Sequence, residues 1–572
     1  MSRALVLFAA LALLSTAPIA AQRATPLPAT VPATVPATVP ATAPATFPAP
    51  LRAGVDSVFA RFDRTDAPGC AVGISEQGRM VYTRGYGMAD LNNRIAIAPQ
   101  SIFHMASISK QVTAIAVATL AAEGKLSLDD NVRKFIPELP EYSEYGVPIT
   151  VRQLMHHTSG LRDQWNLLGY AGWRFPEDLI TERDVLTIVT RQRALNFRPG
   201  DEYVYSNTGF TLLAIIVQRV SGQSLAEYAQ EKFFGPLGMG HTHFHNDHTM
   251  IVPGRTSAYE PREGGGWRVS IPVFDTYGAT SLFSTPEDLL TWMAMLDSPA
   301  AKNTPLIVAA QTSAVLNDGT PTDYGFGLQL ATWRGIRAVG HGGGDAGYRA
   351  YVERYPDFGV AVAVLCNRAD VGSANLARAV AALVLGDRLP REMVEARAPE
   401  HRPSAAAREA WVGVYRDTVS QAILRVRISG DSVFAENRRL EFGSDTTAGR
   451  TGMVGWVSLQ PRGMQSTIRV NPKGRRQVTY VRQAPAVTTL AAYAGGYYSV
   501  ELDARYDLVA RDSSLAVVHR KLDDDAALRP VSRDVFELFG ATVIFQRDRR
   551  GKVTGFTLSD PRVRGVSFVR VP

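Results

Sequence analysis

The sequence predicts a domain of mixed helices and strands followed by an all-β region, and three stretches support this prediction. Residues 111–126 (QVTAIAVATLAAEGKL) place apolar side chains at helical spacing, and Gly124 suits the helix end. Residues 69–87 form two strand-like runs around a turn at Gly78. Residues 409–572 contain short alternating strands separated by turns, which is an all-β pattern.

The first 50 residues predict export and a tether. Arg3 precedes the apolar run from Ala4 to Leu14, which is too short to span a bilayer. Ala20-Ala21 suits cleavage, so we predict a signal peptide over residues 1–21. Residues 22–50 repeat Pro, Ala and Thr with a period of four, which predicts an extended tether. We expect an exported protein, periplasmic or secreted, without a transmembrane anchor.

The rest of the chain divides by composition. We predict a first folded domain over residues 51–388 and a linker rich in Pro, Arg and Glu over residues 389–408. A weak repeat then appears, since residues 411–415 (WVGVY) resemble residues 493–497 (YAGGY). The segments 409–484 and 485–572 therefore predict two small β-barrels, or the two halves of one barrel.

Charge and cysteine content narrow the classes of function. Residues 401–572 carry 27 Lys and Arg against 17 Asp and Glu, so the basic excess of the chain lies there. This excess indicates a solvated surface, or weak association with an anionic cell envelope. Aromatic and basic residues do not interleave as nucleic-acid binding requires. Cys70 and Cys366 lie in apolar, strand-like runs, which favours buried free thiols over a single disulfide.

Ser107 and Lys110 are the first candidates for catalysis. Ser107 lies at or near the start of the predicted helix, where terminal N–H groups and the helix dipole favour negative charge. Lys110 lies one turn further on the same face. Its amine can stabilise an alkoxide or act as a base. By itself this four-residue pattern also arises by chance.

Tyr205 and Asn207 form the second candidate pair. They are two residues apart in an extended segment, so both side chains point the same way. A phenol beside an ammonium can have its pKa lowered and transfer a proton, and an amide can hold a lysine and a carbonyl. The alternative is a buried tyrosine followed by an asparagine that caps the next helix.

A glycine-rich stretch at residues 339–345 (VGHGGGD) supplies the third candidate. Glycines beside His341 let a substrate approach the backbone, and Gly343 and Gly344 can present N–H groups to an oxyanion. The alternative is an ordinary glycine-rich turn.

A histidine cluster offers a different chemistry. His243, His245, Asp247 and His248 have the spacing of a zinc motif of metallo-hydrolases. Such a site needs further ligands downstream, where few histidines remain. The flanking Pro and Gly residues indicate a surface loop.

Three motifs stand in one order in the chain: Ser107-x-x-Lys110, Tyr205-x-Asn207 and His341-x-Gly343. This order resembles that of the serine β-lactamase and penicillin-binding protein superfamily, in particular the branch of class C β-lactamases, D-aminopeptidases and esterases. Flanking pieces at residues 157–161 (HTSGL) and 324–328 (YGFGL) add to the resemblance, which covers roughly residues 54–388.

The resemblance implies an α/β domain with a central antiparallel sheet and a helical lobe, with the site between them. It implies that Ser107 attacks a carbonyl while Lys110 and Tyr205 transfer the proton. The N–H groups of Ser107 and Gly344 would form an oxyanion hole, and Asn207 would position the lysine and the substrate. No metal or organic cofactor is implied.

One departure from the family pattern bears on the substrate. The third motif is commonly Lys-Thr-Gly, whose lysine helps to bind a carboxylate, but here His341 takes the place of that lysine. A mostly neutral imidazole weakens the case for β-lactam hydrolysis or carboxypeptidase action. The His-x-Gly form and the C-terminal barrels, sometimes lipocalin-like, resemble D-aminopeptidases and several esterases.

We therefore expect a serine hydrolase that forms an acyl-enzyme at Ser107 on a small-molecule or peptide substrate with an amide or ester bond. One alternative is a zinc-dependent hydrolase that uses residues 243–248. Another is a non-catalytic protein that binds peptidoglycan or another ligand.

Overall fold

A six-stranded antiparallel sheet forms the centre of the first domain in the computed structural model. In spatial order its strands are Gln329–Trp333, Ile336–Asp345, Tyr348–Tyr355, Val360–Cys366, Cys70–Glu76 and Arg79–Tyr86. The structure describes residues 47–390, 401–450, 456–470, 477–484, 489–519 and 526–572. The predicted signal peptide and most of the predicted tether lie outside these ranges.

Both faces of this sheet are covered by other elements. Side chains alternate along each strand, so a strand contributes residues to the core on each face. In Val360–Cys366, Ala361, Ala363 and Leu365 join one core cluster, whereas Val362 and Val364 join another. The helices Ala49–Phe59 and Ser373–Leu385 pack on the second face. An entirely apolar strand is therefore what this position in the sheet requires.

The helices on the face that carries Ala361, Ala363 and Leu365 form the predicted helical lobe. Its centre is Asn207–Ser221, which packs against Ser109–Ala122. The other α-helices span Val151–Met155, Gln164–Tyr170, Glu182–Thr190, Leu225–Ala229, Gly235–Leu237, Pro286–Asp297, Pro305–Ala310 and Ala405–Trp411. Short strands span Met88–Asp90, Ile95–Ala96, Phe103–His104, Ile180–Thr181, His243–Phe244, Tyr259–Pro261, Trp267–Val269, Phe274–Asp275 and Leu282–Ser284. Among the described residues, no helix combines the length and apolar character needed to cross a bilayer.

The two cysteines form a disulfide, so the expectation of free thiols is wrong. Cys70 and Cys366 face each other on adjacent antiparallel strands, with their Cα atoms 4.0 Å apart. Apolar surroundings indicated burial correctly, but the register that places the two sulfur atoms together depends on strand pairing between distant segments. The bond joins the N-terminal strand pair to the rest of the sheet.

The C-terminal region contains two closed eight-stranded barrels, so the alternative of one barrel in two halves is wrong. The strands of the first barrel are Gly413–Asp417, Ile423–Ser429, Ser432–Ala435, Arg438–Ser444, Thr447–Arg450, Trp456–Gln460, Thr467–Val470 and Val478–Arg482. Those of the second are Gly495–Ser499, Ala504–Ala510, Leu515–Val518, Ala527–Ser532, Val535–Leu538, Ala541–Arg547, Val553–Ser559 and Val566–Val571.

The weak sequence repeat corresponds to the same local hydrogen bond in each barrel. The Tyr415 hydroxyl donates to the Trp411 carbonyl at 3.0 Å, and the Tyr497 hydroxyl donates to the Tyr493 carbonyl at 2.8 Å. In both barrels the tyrosine is buried on the first strand and fixes the segment that enters the barrel. The repeated aromatic residues therefore have a structural role.

The second barrel docks on the helical lobe through a buried ion pair. Arg162 Nη1 lies 2.6 Å from Glu501 Oε1, and the two side chains are 2% and 8% exposed. The same Arg162 nitrogen donates to the side chain of Gln192 at 2.8 Å. The first barrel contacts the second through an ion pair between Arg425 and Glu537.

We expect Glu501→Gln to destabilise the protein by about 3–5 kcal/mol, because it leaves the buried Arg162 charge without a counter-charge. The matched control is Asp503→Asn, which removes the carboxylate of the exposed pair between Arg191 and Asp503 in the same barrel. That change should cost less than about 1 kcal/mol. Denaturant titration followed by tryptophan fluorescence measures both, and equal losses would contradict the assignment.

Candidate active site

Ser107 lies in a tight turn directly ahead of a buried helix. The turn is the 3₁₀ segment Ala106–Ile108, and the α-helix Ser109–Ala122 continues from it. The serine is half-buried. Ala106 has a φ of 47°, a left-handed conformation that costs energy for a residue with a Cβ and that is concentrated at functional sites. The predicted helix start is confirmed, although the α-helix itself begins two residues after Ser107.

A strand of the central sheet passes close to this turn because Gly343 has no side chain. A Cβ on Gly343 would lie 2.1 Å from the carbonyl oxygen of Met105. Gly344 follows and is exposed. Pairing with the outer strand Gln329–Trp333 ends at Gly340, so among the described residues the later part of this strand has one open edge. Its backbone groups are available beside the serine.

Lys110 is fully buried, and its amine has three hydrogen-bond partners. The Nζ atom donates to Ser107 Oγ at 3.0 Å, to Asn207 Oδ1 at 2.9 Å and to the Ala279 carbonyl at 2.7 Å. Burial lowers the pKa of Lys110 to about 7, and the nearby Asp163 carboxylate opposes this shift. A substantial fraction of the amine is therefore neutral at neutral pH and can accept the serine proton.

Asn207 is held in place by a buried carboxylate that the sequence analysis missed. Both the backbone N–H and the side-chain Nδ2 of Asn207 donate to Asp163 Oδ2, at 2.7 and 2.8 Å. These bonds leave Asn207 Oδ1 facing Lys110. Asp163 also caps the helix Gln164–Tyr170, accepting from the N–H of Trp165. In the sequence it resembles any acidic helix cap, and that is the one signal it offers.

Tyr205 lies beside the lysine, but the predicted direction of its pKa shift is wrong. Its ring centroid is 4.9 Å from Lys110 Nζ. Burial raises the pKa of Tyr205. The interaction with the Ser107 hydroxyl lowers this pKa and so opposes the rise only in part. Removal of the phenolate from water outweighs the neighbouring positive charges. The phenol therefore stays protonated and can serve as a proton donor.

The hydroxyl of Tyr205 is buried without a hydrogen bond of ordinary geometry to any described residue. Such a group costs about 1–3 kcal/mol, so it calls for an explanation. The His157 ring packs against the Tyr205 ring, with the ring centroids 4.2 Å apart. His157 Nδ1 in turn accepts the N–H of Ser206 at 3.2 Å. The Ser107 hydroxyl lowers the pKa of Tyr205, so the phenol and the serine interact, and Tyr205 can exchange a proton with the groups at Ser107.

His341 lies next to this cluster, but both of its ring nitrogens are already engaged. Nδ1 lies 2.6 Å from the Gly342 carbonyl oxygen, and Nε2 lies 2.9 Å from the Tyr324 hydroxyl. Since the carbonyl can only accept, Nδ1 carries the proton and Nε2 accepts from Tyr324. Burial lowers the pKa of His341 to about 3, so the ring is neutral. It supplies no cation for a substrate.

Asp345 ends the same strand and is a second acid–base group that the sequence analysis missed. Its Oδ2 accepts from Thr280 Oγ1 at 2.8 Å. Burial raises the pKa of Asp345 to about 6, while the Thr280 hydrogen bond and the Lys110 charge oppose the shift. The residue closes the glycine run and looked like part of a turn, so nothing in the sequence marked it.

Comparison with known proteins places this geometry in a family. The family model described as Beta-lactamase matches residues 55–386, which is more than half of the chain. The chain belongs to the beta-lactamase family. It is a serine hydrolase of that family, and the resemblance predicted from the order of the three motifs is confirmed.

Relatives extend the match beyond the first domain. The D-aminopeptidase of Cereibacter sphaeroides is 27% identical over 522 residues, covering 88% of this chain and 96% of the relative. The D-aminopeptidase of Gluconobacter oxydans is 30% identical over 329 residues, covering 57% of this chain and 61% of the relative. An octameric penicillin-binding protein homologue from Pyrococcus abyssi shares the fold, with 24% identity, a TM-score of 0.54 and coverage of 75% and 99%.

In this beta-lactamase family member the histidine cluster is not gathered into one ligand set. His243 and His245 pack against Phe283, with ring centroids 5.5 and 4.9 Å from it. Among the described residues, the one group of three that could share an ion is Asp247, His248 and Asp275, on the surface. The surface-loop prediction is wrong for His245, which is buried beside the short strand His243–Phe244.

We expect the rate at which a fluorophosphonate labels Ser107 to rise with pH and to level off above a midpoint near pH 7. Only the neutral Lys110 amine can accept the serine proton, and its pKa is about 7. Burial keeps His157 and His341 neutral and Tyr205 protonated in this range, whereas Asp345, with a pKa of about 6, ionises within it and raises the pKa of Lys110. Labelling rate constants for the full chain from about pH 5 to about pH 9 measure the profile.

The control for this profile is Asp345→Asn. The Asp345 carboxylate raises the pKa of Lys110, so its removal should shift the midpoint to lower pH without abolishing the rise. A rate that is constant across the range in the unsubstituted protein would contradict the assignment of Lys110 as the base.

Proposed function

We propose that this protein is an exported peptidase that hydrolyses amides of D-amino acids through an acyl-enzyme at Ser107. One observation carries the proposal: Lys110 Nζ lies 3.0 Å from Ser107 Oγ in a buried setting that lowers the pKa of Lys110 to about 7. The base Lys110 therefore lies within hydrogen-bonding distance of the nucleophile Ser107 at the N-terminus of the helix Ser109–Ala122. Tyr205, whose buried hydroxyl interacts with that of Ser107, supplies the second proton-transfer group.

Acylation begins when Lys110 takes the proton from Ser107 and the serine oxygen attacks the amide carbonyl. The carbonyl oxygen becomes an oxyanion, which the N–H groups of Ser107 and Gly344 stabilise. Collapse of this intermediate breaks the C–N bond. Tyr205 gives its proton to the leaving nitrogen and regains one from the Lys110 ammonium. One proton thus passes from the serine to the leaving amine.

Deacylation reverses the sequence with water in place of the amine. The water that attacks the ester gives a proton to Tyr205 while Tyr205 passes its own proton to the neutral Lys110. The Lys110 ammonium then returns a proton to the Ser107 oxygen as the ester C–O bond breaks. Asn207 holds the lysine through both steps, because Asp163 fixes the orientation of its amide. His341 acts as a positioning residue that holds the Tyr324 hydroxyl.

The relatives support amides of D-amino acids as the substrate class. Alignment with the Cereibacter sphaeroides D-aminopeptidase extends over 96% of that protein, so it includes the barrels as well as the catalytic domain. The neutral His341 argues against a lysine-like carboxylate site in the third motif. Esters remain a second class that the same acyl-enzyme chemistry can cleave.

The N-terminal sequence supports export. Arg3, the apolar run to Leu14 and the Ala20-Ala21 site have the features of a cleaved signal peptide. The disulfide between Cys70 and Cys366 suits an oxidising compartment outside the cytosol. Expression of the full gene in a Gram-negative host should yield a processed protein that begins near Gln22, and an unprocessed cytosolic chain would overturn this part of the proposal.

We expect the purified protein to hydrolyse D-alanine p-nitroanilide faster than its L enantiomer and Ser107→Ala to reduce the rate at least about a thousandfold. The serine hydroxyl is the nucleophile, so its loss removes the covalent route. Release of p-nitroaniline measures the rate. Ser127→Ala, a change of an exposed serine in the same domain, is the matched control and should retain activity.

The same assay tests the zinc alternative. Treatment with a chelator should leave the serine route intact, whereas a hydrolase that depends on the residues 243–248 should lose its activity. Hydrolysis that survives Ser107→Ala but not chelation would overturn the proposed mechanism.

A further inference from the structure

A loop of the second barrel reaches Tyr205 in the candidate active site. The loop spans residues 560–565 and joins the last two strands, Val553–Ser559 and Val566–Val571. The guanidinium carbon of Arg562 lies 5.2 Å from the ring centroid of Tyr205. An arginine from a different domain therefore lies over the side chain that we assign as the proton donor.

The loop is firmly attached to the helical lobe. Asp560 Oδ1 accepts the backbone N–H groups of Arg562 and Val563, and Asp560 Oδ2 accepts from the side chains of Asn166 and Tyr170. The carbonyl of Arg562 accepts the N–H of Asp163 at 3.2 Å, next to the carboxylate that holds Asn207. The position of Arg562 over the Tyr205 ring is thus fixed by its own backbone.

Two arginines of this loop behave differently. Arg564 makes a bidentate ion pair with Glu202, with both distances 3.0 Å, and its side chain is 11% exposed. Its role is to dock the barrel. Arg562 is exposed, and no described residue forms a hydrogen bond or an ion pair with its guanidinium. The docking of the loop therefore does not need the Arg562 side chain.

Arg562 supplies a positive charge near Tyr205, whereas the third motif of this chain lacks the lysine that is common in the family. The third motif presents the neutral His341, whose two nitrogens are both engaged. A guanidinium offers a planar pair of donors that matches a carboxylate, and it binds one more tightly than a neutral donor does. Since Tyr205 protonates the leaving nitrogen in the proposed reaction, a cation over its ring lies on the leaving-group side of the scissile bond.

We propose that Arg562 is a specificity-determining residue that binds a carboxylate on the leaving group of the substrate. The substrate class is then short D-peptides whose free α-carboxylate directly follows the scissile bond. This inference rests on the proposed function for the direction of the leaving group. It assigns the recognition of a carboxylate to the barrel and not to the catalytic domain.

The test compares D-alanyl-D-alanine with D-alanyl-D-alaninamide, which differ only in the carboxylate. Cleavage of the peptide bond is measured by chromatography as the initial rate at which free D-alanine appears, before any released D-alaninamide is itself hydrolysed. In the full chain, Arg562→Gln should reduce the ratio of kcat/KM for the acid to that for the amide by about 10- to 100-fold, as expected for a charge-assisted pair. Arg562→Lys should restore part of the ratio.

Arg549→Gln is the matched control. Arg549 is exposed in the turn at the other end of the strand Val553–Ser559, so the change removes the same charge from the same barrel about 20 Å away. The ratio should not change. A ratio that is the same in Arg562→Gln as in the unsubstituted protein, with hydrolysis still dependent on Ser107, would overturn this inference and leave the proposed function intact.

Absence of hydrolysis of both peptides would instead contradict the proposed function. The role of Arg562 is then decided by competition for fluorophosphonate labelling of Ser107. N-acetyl-D-alanine should slow labelling more than N-acetyl-D-alaninamide does, and Arg562→Gln should remove the difference. Equal protection by the two compounds in the unsubstituted protein would refute carboxylate binding by Arg562.

Discussion

The removal of the Lys110 amine from water is the constraint on which the site depends. A buried ammonium is costly, so the fold must either pair it or neutralise it. Here three neutral acceptors surround Nζ, and the carboxylate that most strongly raises its pKa, that of Asp163, holds Asn207. Among the described residues no carboxylate binds the amine directly, and its pKa falls to about 7. A direct salt bridge would have kept the lysine charged and useless as a base.

Asp163 connects this constraint to the rest of the molecule. Its carboxylate orients Asn207, and its N–H binds the carbonyl of Arg562 in the second barrel. Its neighbour Arg162 forms the buried ion pair with Glu501. Two consecutive residues therefore serve the catalytic lysine and the docking of another domain. A shift of the second barrel would move Asp163 and, through it, the Asn207 amide that binds Lys110.

The sequence predicted the parts of the site that are encoded locally. Ser107 and Lys110 were found because one helical turn relates them, and Tyr205 and Asn207 because they are two residues apart. The predicted extended segment ends at Ser206, however, and Asn207 begins the helix Asn207–Ser221. Asp163, Asp345 and Arg562 were missed, since each takes its role from a tertiary contact that leaves no periodic signal. The pKa of Tyr205 was misjudged for a related reason: a sequence shows which charges are near but not how much water is excluded. The strand pairs and barrels followed from alternation, whereas the disulfide required a register between distant segments.

The central sheet is built from two portions of the chain that a ribosome makes far apart in time. Strands Cys70–Glu76 and Arg79–Tyr86 emerge early, but the neighbour that the first of them needs, Val360–Cys366, follows only after the whole helical lobe. Until then the hairpin exposes an unpaired edge, which is a template for misassembly. Once Val360–Cys366 pairs with Cys70–Glu76, the Cys70–Cys366 disulfide can join the strand of the sheet that is synthesised first to the one that is synthesised last. In a chain that folds after translocation, the disulfide would form only when all six strands of the sheet have been synthesised and can pair.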